Sequence, residues 1–405
     1  MLDLKFIRQN SELVKDGSRA RGVDVDVDKI LLLDKQLLED KHKLEQLNSE
    51  RKTLAKGKAD PAQGKKIKQQ IKKLEVDLKD IQTKLNELLL AIPNLALKDV
   101  PVGDESDNRV LKSVGEPTQF SFEPKDYLTI AGEGINIEQA ARVAGSRFNY
   151  LAGDIAWLQY ALVDYVFSIL KKHDFIPLIT PILLRSEAIR ASGKLDAAGD
   201  DGIKDMYYLE NDDLFLIGTA EQSIGPYHMD QIIDVEKLPL RYFAYTPSFR
   251  REAGSYGKDT KGILRVHQFD KIEMYVFTNA EESMAELDKL VNVEEEIVSS
   301  LKLPYQVVSL ATQDMAFQSA KTIDIEVWVP SQNKYREIMS ASTCTDWQAR
   351  RLNTRYKDPA TGKNEFVHTL NATAVAMGRM IIAIIENYQK ADGTFTIPKA
   401  LKKYI

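Results

Sequence analysis

One cysteine, Cys344, stands among 405 residues. No intramolecular disulfide can form and no thiolate-rich zinc site can be assembled, which fits a reducing compartment. Sustained apolarity is also scarce. No run of about 18 apolar residues occurs, and the opening MLDLKFIRQN lacks the apolar stretch of a secretory signal. The reading is a cytoplasmic, soluble chain with no membrane span. Excess positive charge is missing too. With 55 Lys and Arg against 60 Asp and Glu, the formal net charge is -5. Any nucleic-acid binding must therefore be carried by a local patch. Neither G-x-x-x-x-G-K followed by Ser or Thr, nor G-x-G-x-x-G after a strand, is present. A nucleotide, if one is handled, is not held by a P-loop or a Rossmann turn.

What is present suffices for at least one large core: 43% of residues are hydrophobic, and the length favours two or more units. Residues 1–110 read as a helical arm and linker. Ile30, Leu33, Leu37, Leu44, Leu47 and Leu54 fall on a 3-4 ladder, and Ile67, Ile71, Leu74, Leu78, Ile81, Leu85, Leu88 and Ile92 form a second. Gly57, Pro61 and Gly64 break the helix between them, so the pattern predicts an antiparallel coiled-coil hairpin. Its tip is lysine-rich, with Lys52, Lys56, Lys58, Lys65, Lys66, Lys68, Lys72 and Lys73. Charge alone leaves two readings open, a solvated tip on a dimerisation rod or a lever that reaches phosphates.

Residues 111–405 read as an α+β body. β-rich runs include FIPLITPILL with Pro181 inside it, LRYFAYTPSFRRE, RVHQFDKIEMYVF, TIDIEVWVP and KYREIMSAS. They are joined mainly by hairpin-like turns, with helical patterns between some of them, which argues for an antiparallel sheet and against a doubly wound one. On a strand, Arg250 and Glu252 would share a face, and on the returning strand Arg265, His267, Phe269, Lys271 and Glu273 would also share one, so that a single surface could carry both sets. Guanidiniums, an aromatic ring and carboxylates on one surface suit a nucleotide, since Arg forks bind phosphate and rings stack on bases. The polar, solvated face of an ordinary sheet is the other reading. Arg379 interrupts the apolar AVAMGRMIIAII and needs either an internal partner or a charged ligand. Glu337 and Ser340, on a strand, offer oxygen ligands to a hard cation such as magnesium, or else mark an exposed strand end.

Taken together these segments resemble the seryl-tRNA synthetases, class II aminoacyl-tRNA synthetases, over essentially the whole chain. FRREAGSYG followed by RVHQFDKIEM is similar to motif 2 in its seryl form, NATAVAMGR to motif 3, and the segment around Pro181 to motif 1. GTAEQ resembles the seryl TAE triplet, here Thr219, Ala220 and Glu221, and REIMSAS the segment that handles ATP and metal. The resemblance implies a serine–tRNA ligase that uses ATP and Mg2+ without zinc, works as a homodimer, and charges tRNA-Ser, with selenocysteine tRNA as a further substrate of the family. It implies that Arg250, Arg379 and Glu337 carry catalysis. ATP would be held by Arg250, Arg251, Glu252, Arg265, Phe269, Glu337, Ile338, Met339, Ser340 and Arg379, with Glu337 and Ser340 at the metal. Serine would meet Thr219, Ala220, Glu221, Arg250, Glu273, Asn371 and Thr373. Lys56, Lys58, Lys65, Lys66 and Lys68 would touch tRNA. Ala372 and Ala374 stand where the family usually carries glycine, and methyl groups there are expected to crowd a backbone that approaches ATP. Two rivals are a non-enzymatic scaffold and a relative that loads a carrier protein.

Overall fold

The computed structural model describes residues 1–56, 61–193, 204–253 and 262–405, with no side-chain account for 55, 56 and 61. The chain divides into Met1–Leu95 and Ala96–Ile405. In the first unit, α1 (Leu4–Gln9) begins where the Asp3 carboxylate accepts from the Phe6 amide at 3.0 Å, the usual N-cap bond. Helix α2 (Ser11–Ala20) follows, and then α3 (Val27–Lys56) and α4 (Pro61–Leu90), each of 30 residues. These two run antiparallel, Leu47 lying near Leu74 and Asp40 near Asp77. At a rise of about 1.5 Å per residue the hairpin is about 45 Å long.

Its base is the better packed end. Ile30, Leu33, Leu37, Leu85, Leu89 and Ile92 bury against Ile7 and Val14 of the short helices, with Arg8 paired to Asp34 at 2.9 Å. Farther out, Leu44, Leu47 and Leu54 are only half-buried, because two helices alone cannot enclose a seam. Lys65, Lys66 and Lys68 are exposed along α4, whereas the Lys56 side chain and Lys58 lie outside the described residues.

Residues 96–110, read from sequence as linker, belong with the second unit: Val100 packs with Val308, Leu310 and Met315. That unit is built on eight strands: β1 (Arg109–Val114), β2 (Ile176–Pro177), β3 (Leu240–Phe249), β4 (Gln268–Thr278), β5 (Tyr305–Ser309), β6 (Lys321–Val329), β7 (Lys334–Thr345) and β8 (His368–Ala376). Their order is β1-β5-β6-β7-β8-β4-β3-β2, antiparallel throughout except for β2 beside β3. The run FIPLITPILL divides at Pro181, its first part forming the edge strand β2 and its last part entering a separate three-stranded sheet. Helices α5 (Gly153–Lys172), α6 (Ser283–Ser300), α7 (Trp347–Leu352) and α8 (Met377–Asn387) complete the frame. Leu158, Leu162, Leu290, Ile297, Ile381 and Ile384 from α5, α6 and α8 share one core with Met274, Ile325, Met339, Ala341, Ala372 and Ala374 of the sheet. The opposite face carries the buried polar residues Glu273, Asn371 and Thr373 beside a second apolar cluster in which Tyr275 and Phe277 meet Ala220 and Ile224.

Within the helix-side core, Glu294 of α6 is fully buried and neither carboxylate oxygen has a hydrogen-bond partner. Burial, reinforced by Asp324 and Glu273, pushes its carboxyl far above the usual range. The folded state keeps this proton while the unfolded chain releases it above about pH 4.5, so the position costs stability progressively as pH rises. Glu294→Met is expected to raise the apparent melting temperature, with a gain of about 1–3 kcal/mol at pH 8 that shrinks toward pH 5. A gain that grew on acidification would contradict this account.

Candidate active site

Strands β3 and β4 pair from Leu240 with Phe277 up to Phe249 with Gln268. Beyond Phe249 the ladder holds for one more rung, the Arg250 amide donating to the His267 carbonyl at 3.0 Å, and then fails. Glu252 takes a left-handed φ of 51°. The expectation that Arg250 and Glu252 share a strand face is therefore corrected: neither lies in a strand, and Arg265 precedes β4 as well. Chain reversal, rather than period-two alternation, gathers them. Gly254 and Gly257 of the intervening loop lie outside the described residues. Gly262, just after it, has φ +81°, and a Cβ there would sit 1.7 Å from the Tyr127 hydroxyl, so no larger residue fits. The ring nitrogen of His267 meets the Arg250 carbonyl at 3.0 Å, which makes that histidine a brace for the turn.

Arg250, Glu252, Arg265, Phe269, Glu337 and Arg379 line one cleft. The Arg250 guanidinium lies 5.3 Å from the centre of the Phe269 ring and donates from Nε to the Gly218 carbonyl at 3.2 Å. Arg379, on the first turn of α8, reaches Glu337 Oε1 at 3.0 Å and the Glu337 carbonyl at 3.0 Å. Burial opposes ionisation of Glu337, but Arg379, joined by Arg250 and Lys271, prevails and holds the carboxyl below its ordinary value. The Arg379 guanidinium is correspondingly raised, chiefly by Glu337.

Three residues apart, Glu337 and Ser340 would point to opposite faces of a regular strand. A bulge resolves this. Opposite Ile325 and Glu326 the register slips, so that Ile338 and Met339 both turn inward while Glu337 and Ser340 face out together. Ser340 then donates to Asp324, a buried carboxylate. Ile338 touches the cleft wall, but the Met339 side chain is fully buried in the helix-side core, and its sequence assignment to ATP is corrected to that extent. Arg251 is not among the residues that line the cleft. It turns away, stacking 4.6 Å over Tyr207 and donating to the Met206 carbonyl at 3.0 Å. Ala372 and Ala374 likewise belong to the helix-side core, so their methyl groups do not crowd the cleft.

Deeper on the same face sits a polar pocket. A second register slip, between Ile272 and Glu273 on β4, brings Glu273 opposite Thr373. Glu273 pairs with Lys271, whose ammonium also donates to Thr373 Oγ1 at 3.4 Å, while Thr219 bonds Glu273. Burial pushes the Glu273 carboxyl up and the Lys271 ammonium down, and each charge partly restores the other. Glu221, on the one-turn helix Glu221–Ile224, receives amide donors from Asn371, Gln318 and Gln348. Ala220 is fully buried in the apolar cluster that holds Ile224 and Tyr275, so only its backbone can face a ligand. Sequence reasoning gave Lys271 no role and missed Gln318 and Gln348, which carry no periodic or motif signal.

Two known domains match this chain: the seryl-tRNA synthetase N-terminal domain over residues 1–96, and the tRNA synthetase class II core domain (G, H, P, S and T) over 207–388. A serine–tRNA ligase from Thermotoga petrophila is 45% identical, with 100% of this chain and 98% of the relative covered. One from Sulfurihydrogenibium sp. is 49% identical over 79% of this chain and 76% of its own length. Among solved structures, a seryl-tRNA synthetase from Pyrococcus horikoshii complexed with ATP superposes with a TM-score of 0.92 at 38% identity, covering 100% of this chain and 98% of its own. A cytoplasmic serine–tRNA ligase from Naegleria fowleri in complex with AMP gives 0.90 at 32%, covering 100% and 97%. The chain belongs to the seryl-tRNA synthetase family, and its activity is that of an ATP-dependent serine–tRNA ligase.

Proposed function

We propose that the cleft on the face of the sheet opposite the helices activates L-serine and that the residues gathered there divide the work as follows. A serine carboxylate oxygen attacks the α-phosphorus of ATP, the bond between that phosphorus and the bridging oxygen breaks, and pyrophosphate leaves with the electron pair. The seryl group then passes to a hydroxyl of the terminal adenosine of tRNA-Ser, releasing AMP. Arg250 holds the α-phosphate and the serine carboxylate together, Phe269 stacks on adenine, and Glu252 accepts from its amine. Arg265 and Arg379 grip the outer phosphates. Such a transfer needs positioning and charge stabilisation more than a covalent nucleophile. The observation that carries this reading is the convergence of Arg250, Glu337 and Arg379, from three distant stretches of sequence, on one cleft beside buried Glu221 and Glu273.

Serine fits the deeper pocket in one orientation. Among the described residues Glu221 is held by neutral amides alone, so no protein cation among them competes with the substrate ammonium for it. Glu273, already paired with Lys271, reads the hydroxyl with Thr373. An alanine in that pocket would strand the buried acceptor, so rejection by about 1,000-fold or more is expected.

Magnesium fits the residues present. The bulge sets the Glu337 and Ser340 oxygens on the cleft side, and Asp324 Oδ1 is a buried acceptor with no hydrogen-bond partner. A hard cation that takes one or two protein oxygens and otherwise phosphates and water matches this sparse set. Bound there by Glu337 and Ser340, it would offset triphosphate charge. Exposed Lys65, Lys66 and Lys68 serve the tRNA backbone, and selenocysteine tRNA falls within the same reach. Exposed Trp157, Tyr160, Ile176 and Ile179 around α5 and the edge strand support a homodimer, which sedimentation at micromolar concentration reads directly. Among the described residues no helix is long and apolar enough to cross a membrane, in keeping with a cytoplasmic site of action.

Pyrophosphate exchange with each of the twenty amino acids, followed by charging of total tRNA, tests the assignment. Serine alone is expected to give robust exchange. tRNA binding without exchange would instead make the protein a scaffold.

A further inference from the structure

One oxygen of Glu221 is already saturated. Its Oε1 accepts from the side-chain amides of Gln348 at 2.8 Å, Gln318 at 3.1 Å and Asn371 at 3.3 Å. All four residues are buried, Gln348 being 1% exposed. The closest of these donors is itself clamped. Gln348 Oε1 accepts from the Tyr275 hydroxyl at 2.9 Å and the Thr369 hydroxyl at 2.8 Å, while its Nε2 also donates to the Ser192 carbonyl at 3.1 Å. A flipped amide would aim its oxygen at the Glu221 carboxylate and the Ser192 carbonyl, two groups that only accept. The network therefore has one order: Tyr275 and Thr369 set Gln348, and Gln348 sets Glu221.

We infer that Gln348 is a positioning residue for the amino-acid substrate, fixing Glu221 so that its second oxygen is presented to the serine ammonium. This rests on the assignment of the polar pocket to serine. The chemistry of the donors matters as much as their number. Neutral amides orient a carboxylate without cancelling its charge, whereas a lysine or arginine in the same place would compete with the substrate for it. Glu273 illustrates the contrast, since Lys271 already answers its charge. Buried and fully satisfied, such a network also resists rearrangement when the pocket is empty, so serine meets a carboxylate that need not be reoriented.

The test is pyrophosphate exchange by the full-length enzyme with serine and ATP varied separately. Gln348→Met removes the donor and the clamp at similar volume and is expected to raise the serine KM by about 10- to 30-fold, with the ATP KM and kcat each within about 3-fold. Tyr275→Phe keeps the ring and removes one of the two hydroxyls that orient Gln348. It is expected to raise the serine KM by about 3-fold and leave the ATP KM in place, and it decides the matter by the same criterion if Gln348→Met does not fold. A serine KM within about 2-fold of the parent, or serine and ATP constants that move in parallel, overturns the inference. Glu221→Gln is the reference. If it loses serine affinity and the Gln348 and Tyr275 variants do not, the positioning role alone fails. If Glu221→Gln binds serine as the parent does, the pocket assignment fails with it.

Discussion

Arg250→Ala is expected to lower serine-dependent pyrophosphate exchange by about 1,000-fold or more, mostly in kcat. The side chain occupies the junction between the two halves of the site. Its guanidinium lies beside the Phe269 ring, its Nε is held by the Gly218 carbonyl, and that glycine immediately precedes Thr219 and stands three residues before Glu221. A group so placed can touch the serine carboxylate and the α-phosphate at once, and the charge it stabilises grows as the new bond forms. Its loss also leaves Glu337 with fewer cations nearby. Arg250→Lys keeps the charge but not the planar fork, so little recovery is expected. Exchange that survived in the alanine variant at a tenth of the parent rate would place the reacting phosphate elsewhere.

The second large effect separates the two units. Excising residues 42–75 and closing the hairpin with a short Gly/Ser turn is expected to leave exchange within about 3-fold while charging of tRNA-Ser falls by about 100-fold or more. The cut is chosen from the packing. Leu37, Leu85, Leu89 and Ile92 stay with Ile7 and Val14, so the base keeps its core, whereas removal of all of 30–92 would expose it. What leaves is the lysine-rich outer part, including Lys65, Lys66 and Lys68. Contacts of that kind act through counterion release, so charging by the parent should weaken as salt rises and charging by the excised form should respond less. Undiminished charging after the excision would dismiss the hairpin as a tRNA-binding element.

Much of this was legible in the sequence, and the reasons are specific. The ladder from Ile67 to Leu85 announces α4 because a heptad repeats a local geometry many times over. The β6–β7 hairpin was readable from PSQNK, where Asn333 adopts the left-handed φ of 49° that such a turn asks for. The seryl triplet and the motif 2 segment named the chemistry. Illegible were the two places where strand regularity lapses. Nothing in REIMSAS says that Ile338 and Met339 both turn inward, and nothing in NATAVAMGR says that pairing slips at Ala374, because a bulge depends on the neighbouring strand, whereas plain alternation with Asn371 and Thr373 already turns Ala372 and Ala374 away. The hairpin end is illegible for a related reason: the sequence alternates on past Arg250, where pairing stops. Gln348 was unreadable on other grounds. It meets Glu221 across 127 residues of chain, and a single glutamine carries no period.

The slip opposite Ile325 and Glu326 has a bearing on how this strand tolerates change in length. Glu337 and Ser340 look the same way only because one residue between them is surplus to the pairing. Take that surplus away by deleting Ile338, and the two oxygens stand an even step apart, still on one side but drawn closer together. Add a residue instead, and the two stand four apart, again an even step, but two residues are then surplus to the pairing and must be held in a wider bulge. The segment is thus forgiving toward shortening and severe toward lengthening, an asymmetry that conventional substitution scans never sample.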